Sequence, residues 1–268
     1  DPVFFSQFSH YVNPSQLEQV LGTLNFHVII DELEEAYDLC AYASWQLIAR
    51  TSPSQLPMIS CYCPSVLRLI QSRFPELLPR VVHIINPIEL GADLWRMRTN
   101  STEPLTILAP CPSKITMIRE PQGRERSPIQ NAVTVRRLVR SITANNISLP
   151  PDQAPKERHH RWTQWARRGG EARHIQSFAD RKLTMLAVSG MRNTIDVLQE
   201  LELGRLRNVD FIECRFCDTG CVGGAGTADS RFIANLRIGN VNTNWEITEK
   251  ERRRVEELYA MDFWATSR

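Results

Sequence analysis

Cysteines give this sequence its most distinctive chemistry. Six of the seven lie in three short segments that also contain proline or glycine, namely 60–64 (SCYCP), 109–113 (APCPS) and 213–224 (ECRFCDTGCVGG). A chain of 268 residues can build a hydrophobic core without disulfides. A disulfide between Cys61 and Cys63 would also close a strained ring. We therefore expect the thiols to bind metal rather than to pair with one another.

Thiolates are soft ligands that select iron–sulfur clusters or zinc. Each cysteine segment follows an apolar run typical of a β-strand, and sites in open α/β sheets form outside the carboxyl ends of strands. The three segments can therefore converge on one crevice, where four thiolates suit an iron–sulfur cluster. Zinc remains an alternative, because Cys214 and Cys217 have C-x-x-C spacing. The glycines of 218–226 (DTGCVGGAG) would let the backbone approach a large inorganic cluster closely.

Apolar strands alternate with helical patterns along the chain, which predicts an α/β fold with parallel sheets. The predicted strand segments are 26–31, 56–64, 105–118 (a strand that ends in the cysteine loop), 182–190 and 209–214. The predicted helices are 32–49, 64–74, 126–145, 191–206 and 248–262. Residues 146–173 are rich in Pro, Arg and Gly, so we expect an exposed connection that ends where a Gly-Gly pair begins a helix.

The bulk composition excludes several classes of function. Apolar residues make up 42% and charged residues 23% of the chain, as in ordinary globular proteins, and no apolar run is long enough to predict a membrane span. A net charge of +2 gives no indication of nucleic-acid binding. With no recognisable signal peptide, we expect a cytoplasmic protein.

Three segments resemble, in order and spacing, the signature loops of the FeFe-hydrogenase catalytic domain. They are 60–79 (SCYCPSVLRLIQSRFPELLP), 109–118 (APCPSKITMI) and 213–226 (ECRFCDTGCVGGAG). The length of the chain, together with 127–135 (SPIQNAVTV) and 209–217 (VDFIECRFC), resembles the sensory-type members. The resemblance implies two lobes of twisted, mainly parallel sheet flanked by helices, with an iron–sulfur site in the cleft between them.

The resemblance also implies a set of site residues. In that family four cysteines hold a 4Fe–4S cluster, and the matching positions here are Cys63, Cys111, Cys217 and Cys221. Cys221 matches the thiolate that bridges to a two-iron subcluster carrying CO, cyanide and a dithiolate. Lys114 matches the lysine that donates a hydrogen bond to a cyanide, for which an ammonium group is suited. Lys114 and Cys221 are therefore the expected catalytic positions.

Several positions depart from the family pattern. Tyr62 stands where active members have a proton-relay cysteine, and a phenol with a pKa near 10 relays protons poorly at neutral pH. Ala109 and Arg215 replace methionines that pack on the two-iron subcluster, and 218–220 (DTG) replaces Pro-Gly-Gly. Loss of a positioned acid or base typically costs about 100- to 10,000-fold in rate. We therefore expect little or no turnover.

We predict a sensory-type FeFe-hydrogenase homologue from an anaerobe that binds H2 or slowly interconverts it with protons and electrons. The alternative is a non-catalytic subunit or regulator that holds only a 4Fe–4S cluster for electron transfer or structure. A weaker alternative is a relative of the cytosolic iron–sulfur assembly factors of this fold. The sequence has no ferredoxin-like cysteine cluster, so electrons would come from a redox partner or a ferredoxin-like domain or subunit. Signalling or complex partner subunits are also expected.

We divide the chain into lobe 1 (about 1–98), lobe 2 (about 99–245) and a C-terminal helix (about 246–268). The apolar stripe of that helix is expected to dock on its own domain.

Overall fold

The computed structural model describes residues 1–149 and 159–266. The α-helices are α1 (Pro14–Gly22), α2 (Ile30–Arg50), α3 (Pro64–Arg73), α4 (Pro87–Thr99), α5 (Pro112–Arg119), α6 (Val135–Ala144), α7 (Gly170–Phe178), α8 (Met191–Glu202), α9 (Arg231–Gly239) and α10 (Glu249–Ala260). The strands are β1 (Met58–Ile59), β2 (Thr106–Ala109), β3 (Asn131–Thr134), β4 (Met185–Ser189) and β5 (Phe211–Arg215). Short 3-10 helices lie at Pro2–Ser6, Pro53–Gln55, Pro75–Arg80, Arg161–Ala166 and Cys221–Gly223.

Two parallel sheets carry the three cysteine segments. One has the strand order β1-β5-β4, and the other pairs β2 with β3. In the first sheet Phe211 of β5 is in register with both Met58 and Met185, so the three strands run side by side in the same direction. The α/β class with parallel sheets flanked by helices is therefore confirmed. Strands β1 and β2 end at or just before a cysteine segment, in agreement with the prediction, and β5 ends inside the third segment, two residues before Cys217.

Helix α2 lies at the centre of the core. It packs against α4, α7 and α10, and its middle turns are almost fully buried. The short 3-10 helix at Arg161–Ala166 packs beside it and buries both Trp162 and Trp165. We expected an exposed connection over 146–173, and for Arg161–Ala166 that prediction is wrong, because the paired tryptophans fill the interior. Residues 150–158 of the connection lie outside the described residues.

Three other predictions of secondary structure are wrong. The strand and loop predicted over 105–118 give way to a helix, because the strand ends at Ala109 and Pro112 begins α5. Residues 26–29 do not form a strand, and α2 begins at Ile30, where Asp31 and Glu32 in the first turn favour a helix N-terminus. The helix predicted over 126–145 begins only at Val135, because the β-branched segment before it pairs with β2 as β3. The pattern that begins a helix at Gly169 and Gly170 is confirmed by α7.

The predicted lobe boundaries stay a prediction. Strand β1 comes from the first predicted lobe and pairs with β5 from the second, so one sheet joins residues from both. Helix α10 packs on the same domain through Val255 and Leu258, which are 1% and 3% exposed. Residues 267–268 of the predicted C-terminal element lie outside the described residues. Within the part of the chain described, no helix is both long and apolar enough to cross a membrane.

A buried polar network ties α2 to α7 and to the tryptophan segment. Trp165 Nε1 donates to His174 Nδ1 at 2.9 Å, and His174 Nε2 lies 2.8 Å from Asp38 Oδ1. Arg161 pairs with the same carboxylate at 3.4 Å. Burial lowers the pKa of His174 to about 4, although Asp38 opposes the shift. Burial alone would raise the pKa of Asp38, but His159 and His174 bring it below its usual range.

The His174 imidazole therefore makes the stability of the fold depend on pH. Its folded pKa lies below its unfolded value near 6.5, so the unfolded chain takes up the proton first as the pH falls. Stability is lost between about pH 6.5 and 4, and the loss from pH 7.5 to pH 5 is about 2 kcal/mol. The variant His174→Asn keeps an acceptor for Trp165 and cannot titrate. Between pH 7.5 and pH 5 its unfolding free energy should therefore fall by about 2 kcal/mol less than that of the wild type. Urea unfolding at the two pH values measures the difference, and equal losses in both proteins would contradict it.

Candidate functional site

The three cysteine segments converge on one cavity of about 230 Å³. All five site residues predicted from the sequence line this cavity, namely Cys63, Cys111, Lys114, Cys217 and Cys221. Arg215 and Phe216 from the end of β5 complete part of its wall. Residues separated by more than 150 positions thus meet because β1, β2 and β5 all deliver their following segments to the same place.

Local sequence rules position the first two thiols. Cys63 and Cys111 each have extended backbone and directly precede a helix, with Pro64 and Pro112 at the first helical positions of α3 and α5. Proline suits that position because its missing N–H has no helical partner there. The free N–H groups and the dipole of each helix therefore lie close to a thiol, which favours a negatively charged thiolate or cluster.

Glycines let the third segment approach the second. Gly226 N donates to Pro110 O at 2.7 Å, and a Cβ on Gly224 would collide with the same carbonyl oxygen. Gly220 has a φ of 102°, in a region that L side chains rarely adopt, and it lies against the backbone of Arg167 and Arg168. These contacts set Cys217 and Cys221 opposite Cys111.

Among the described residues, the cysteine sulfurs do not form the tight group that a single zinc ion needs. A zinc ion holds thiolates at about 2.3 Å, so their sulfur atoms lie about 4 Å apart. Among the described residues, no three cysteine sulfurs all lie within 4.8 Å of one another. All seven thiols are free. Burial raises the pKa of Cys217 and of Cys221 to about 12, so deprotonation of these groups would accompany metal binding.

The remaining three cysteines are packed within the fold, away from the cavity. Cys61 Sγ donates to Ile84 O at 3.3 Å, and Cys40 Sγ donates to Ile85 O at 3.6 Å. Cys214 is fully buried within β5. None of the three lines the cavity. The C-x-x-C pair of Cys214 and Cys217 therefore does not act as one unit.

Lys114 is a buried cation at the edge of the cavity. It is 1% exposed, its Nζ lies 2.6 Å from Asp1 Oδ2, and the same atom lies 3.8 Å from the centre of the Tyr62 ring. Burial lowers the pKa of Lys114, while the nearby Cys221 thiolate opposes this shift. The position of Lys114 allows its ammonium to donate a hydrogen bond to an anionic group near Cys221.

Tyr62 is fully buried and contacts two cations. Besides Lys114, the guanidinium carbon of Arg215 lies 4.4 Å from the ring centre, and the Tyr62 hydroxyl lies 3.1 Å from that of Tyr37. The ring also packs edge-on against Trp165 at 5.2 Å. Burial, followed by Tyr37 and Cys221, raises the pKa of Tyr62 well above its usual value. The shift takes the ionisation of this phenol further from neutral pH.

Arg215 is a second buried cation, and two acidic residues accompany it. Its guanidinium lies 2.8 Å from Glu171 and 3.6 Å from Glu213, and it donates to Ser60 Oγ at 3.3 Å. Glu213 also accepts the N–H groups of Gly169 and Ala172, both at 2.9 Å. Sequence reasoning missed Glu171 and Ser60. The available signal was a charged residue inside the apolar strand β5, because a buried charge requires a partner.

Two further polar and apolar features lie away from the thiols. His159 Nε2 lies 3.3 Å from Asp38 and 3.9 Å from Glu251, a grouping that no pattern in the sequence indicates. Arg161 pairs with both carboxylates, so this group already contains a cation. A larger, mostly apolar cavity of about 530 Å³ lies between the N-terminal residues, α1 and β2, and none of the cysteines lines it.

Comparison with solved structures agrees with the fold. The chain is similar to apo [FeFe]-hydrogenase HydA1 from Chlamydomonas reinhardtii carrying a histidine-for-cysteine substitution, with a TM-score of 0.70, 13% identity and coverage of 97% of this chain and 87% of that one. A glutamate-to-alanine variant of the same protein gives a TM-score of 0.70, 14% identity and coverage of 99% and 92%. The [FeFe]-hydrogenase HydA(deltaEFG) gives a TM-score of 0.69 and 14% identity, with coverage of 92% of this chain and 83% of that one. No curated protein matches the sequence.

A family profile adds direct sequence evidence to this likeness of fold. Residues 2–225 match the profile of the C-terminal domain of the iron only hydrogenase large subunit, and the matched range contains all three cysteine motifs. The match extends over most of the chain. The resemblance stated from the three segments is thereby confirmed, and the chain belongs to the family of C-terminal domains of iron-only (FeFe) hydrogenases.

Proposed function

We propose that the chain is a sensory-type FeFe-hydrogenase homologue that binds H2, or slowly interconverts it with protons and electrons, at an iron–sulfur site. The observation that carries this proposal is the convergence of four thiols from three segments on one cavity. A 4Fe–4S cluster would be held by Cys63, Cys111, Cys217 and Cys221. The helix N-termini behind Cys63 and Cys111 would stabilise its negative charge.

The same cavity has residues suited to a two-iron subcluster. Cys221 would bridge to it, and Lys114 would donate a charge-assisted hydrogen bond to one of its cyanide ligands. When bound, the two-iron subcluster supplies the metal chemistry that binds and splits H2. The protein supplies position and electrostatics, and the buried Arg215 adds a second positive charge at the cavity wall.

Proton delivery is the step for which this chain is poorly equipped. Tyr62 is a phenol, which keeps its proton at neutral pH even with its ordinary pKa, and burial raises that pKa further. Cys61 does not replace it, because its thiol donates to Ile84 O and does not line the cavity. Slow exchange of protons suits a domain that reports H2 better than one that produces it.

The second candidate is a domain that holds only the 4Fe–4S cluster. One observation favours it: Lys114 and Arg215 both line the cavity, and both already contact the ring of Tyr62. Lys114 also pairs with Asp1. If these contacts persist in the loaded protein, little room and no free ammonium remain beside Cys221.

We place this domain in the cytoplasm of an anaerobe, where electrons come from a redox partner or a ferredoxin-like domain or subunit. Signalling or complex partner subunits would receive its output. These proposals follow from the family, since a buried cluster that exchanges electrons needs an external carrier.

The first experiment tests the four ligands. After anaerobic reconstitution, the wild type should bind about four iron and four sulfide per chain, as a 4Fe–4S cluster requires. Cys63→Ala removes a ligand and should lose most of this iron. Its matched control, Cys61→Ala, changes the thiol two residues away and should keep the cluster. Iron and sulfide analysis with electron paramagnetic resonance of the reduced protein gives the readout. Equal loss in both variants, or bound zinc without iron, would contradict the assignment.

The second experiment separates the two candidate functions. Maturation with a two-iron precursor should give infrared bands of CO and cyanide if the subcluster binds, and their absence would leave the cluster-only candidate. In a protein that shows the bands, Tyr62→Cys introduces a relay thiol and should raise H2 evolution by about 100-fold. Tyr62→Phe keeps the ring, adds no relay group and should not gain rate. Bands without any gain in Tyr62→Cys would show that proton delivery is not limiting.

A further inference from the structure

A buried carboxyl group lies one side chain away from the cysteine cavity. Glu171 belongs to the first turn of α7, and its side chain is 2% exposed. Its Oε2 lies 2.8 Å from Nη2 of Arg215, and Arg215 lines the cavity together with Cys221. The guanidinium of Arg215 therefore contacts Glu171 and also borders the place where the proposed cluster would lie.

Arg215 is shared by two carboxylates. Glu213 Oε1 lies 3.6 Å from the same guanidinium nitrogen, and the Glu213 side chain is fully buried. Two backbone N–H groups at the start of α7 also donate to Glu213, both at 2.9 Å, so this carboxylate has further partners. Glu171 depends more on Arg215, because its other hydrogen bond comes from the neutral hydroxyl of Ser60, at 2.7 Å.

One guanidinium does not neutralise two buried carboxylates. Burial raises the pKa of Glu171, Arg215 lowers it, and the charge of Glu213 raises it again, with an increase as the net result. Added negative charge in the cavity would raise the proton affinity of Glu171 further, because like charges close together favour the neutral form of a carboxyl group. Glu171 is thus the carboxyl group in this network that is suited to take up a proton.

The other titratable groups around α7 hold one protonation state near neutral pH. Burial raises the pKa of the Cys61 thiol to about 12 and takes those of Cys40 and Cys214 well above their usual value. His174, on the same helix, has a pKa of about 4. The remaining charged groups that the described elements packed on α7 bring to it are Asp38 of α2 and Arg161, which pair with each other beside His174.

We propose that Glu171 takes up a proton when the cluster is reduced, and that Arg215 links the two events. The proposal rests on the proposed 4Fe–4S cluster, because the electron that the cluster accepts is the added negative charge. One electron enters the cluster from an external reductant, and one proton from water adds to the Glu171 carboxylate. No bond to the metal forms or breaks. The charge of Arg215 then serves Glu213 and the reduced cluster.

Electrostatics gives the size of this coupling. At an effective dielectric constant of about 20, a unit charge about 10 Å away changes the proton affinity of a carboxylate by roughly tenfold. By linkage, protonation changes the electron affinity of the cluster by the same factor, which corresponds to about 59 mV for a one-electron couple. The potential should therefore be about 59 mV higher at acid pH, where Glu171 is protonated in both redox states, than at alkaline pH, where it is ionised in both.

The experiment measures the midpoint potential of the reconstituted cluster from about pH 5 to about pH 9, by redox titration with electron paramagnetic resonance. The wild-type potential should fall as the pH rises, by about 59 mV in total. Glu171→Gln keeps an acceptor for Ser60, resembles the protonated carboxyl group and cannot titrate. Its potential should therefore stay at the acid value of the wild type at every pH.

The matched control is Glu89→Gln. Glu89 is also 2% exposed, and burial raises its pKa, but it does not line the cysteine cavity. The potential of this variant should follow the wild type at every pH. A loss of the pH dependence in Glu89→Gln as well would contradict a specific role for Glu171.

A second measurement depends on no variant and decides the matter if Glu171→Gln does not assemble the cluster. Infrared difference spectra of the wild type should show the C=O band of a protonated carboxyl group appearing on reduction. A pH-independent potential, a pH dependence that survives in Glu171→Gln, or reduction without this band would overturn the proposal. Those results would leave the proposed function intact, whereas a wild type that binds no iron and sulfide would overturn both.

Discussion

Two buried cations at the same aromatic ring constrain this site. Lys114 and Arg215 both contact Tyr62 and both line the cysteine cavity. Removing a charge from water is costly, so each cation needs a counter-charge, and Asp1 and Glu171 supply these at 2.6 and 2.8 Å. A buried cation–π contact can add about 2 kcal/mol. The packing around the cavity therefore depends on keeping these charges paired.

This arrangement favours binding of an anionic group and disfavours movement of protons. Burial raises the pKa of the Cys221 thiol, and the two cations Lys114 and Arg215 oppose this shift and so favour the thiolate. Burial also raises the pKa of Tyr62, a phenol that is protonated at neutral pH even without this shift. The packing of Lys114 and Arg215 on the Tyr62 ring thus accounts for two features at once: positive charge at the cavity, and no easily titrated group at position 62. Both features would slow proton transfer at this cavity.

The parts of the site that follow local rules were predictable from the sequence. A cysteine before a proline at the start of a helix, and glycines around a third pair, are short-range patterns, and the structure does gather Cys63, Cys111, Cys217 and Cys221 around one cavity. The partners of Arg215 were not predictable, because Glu171 lies on a different element and is brought near only by the fold. The strand expected at 26–31 failed for a similar reason: a short apolar run does not distinguish a strand from a segment that packs on the core before a helix.

The division between local and long-range determinants bears on how function varies within one fold. Ligation of a cluster needs only the strand ends and their following turns, which β1, β2 and β5 fix. Proton supply would depend instead on side chains such as Tyr62, and electron supply on the surface that meets an external carrier. Tyr62 follows β1 and belongs to no strand, so the sheets that position the thiols do not include it. A chain of this family can therefore keep its metal site, lose rapid catalysis, and take on a role that depends on its partners.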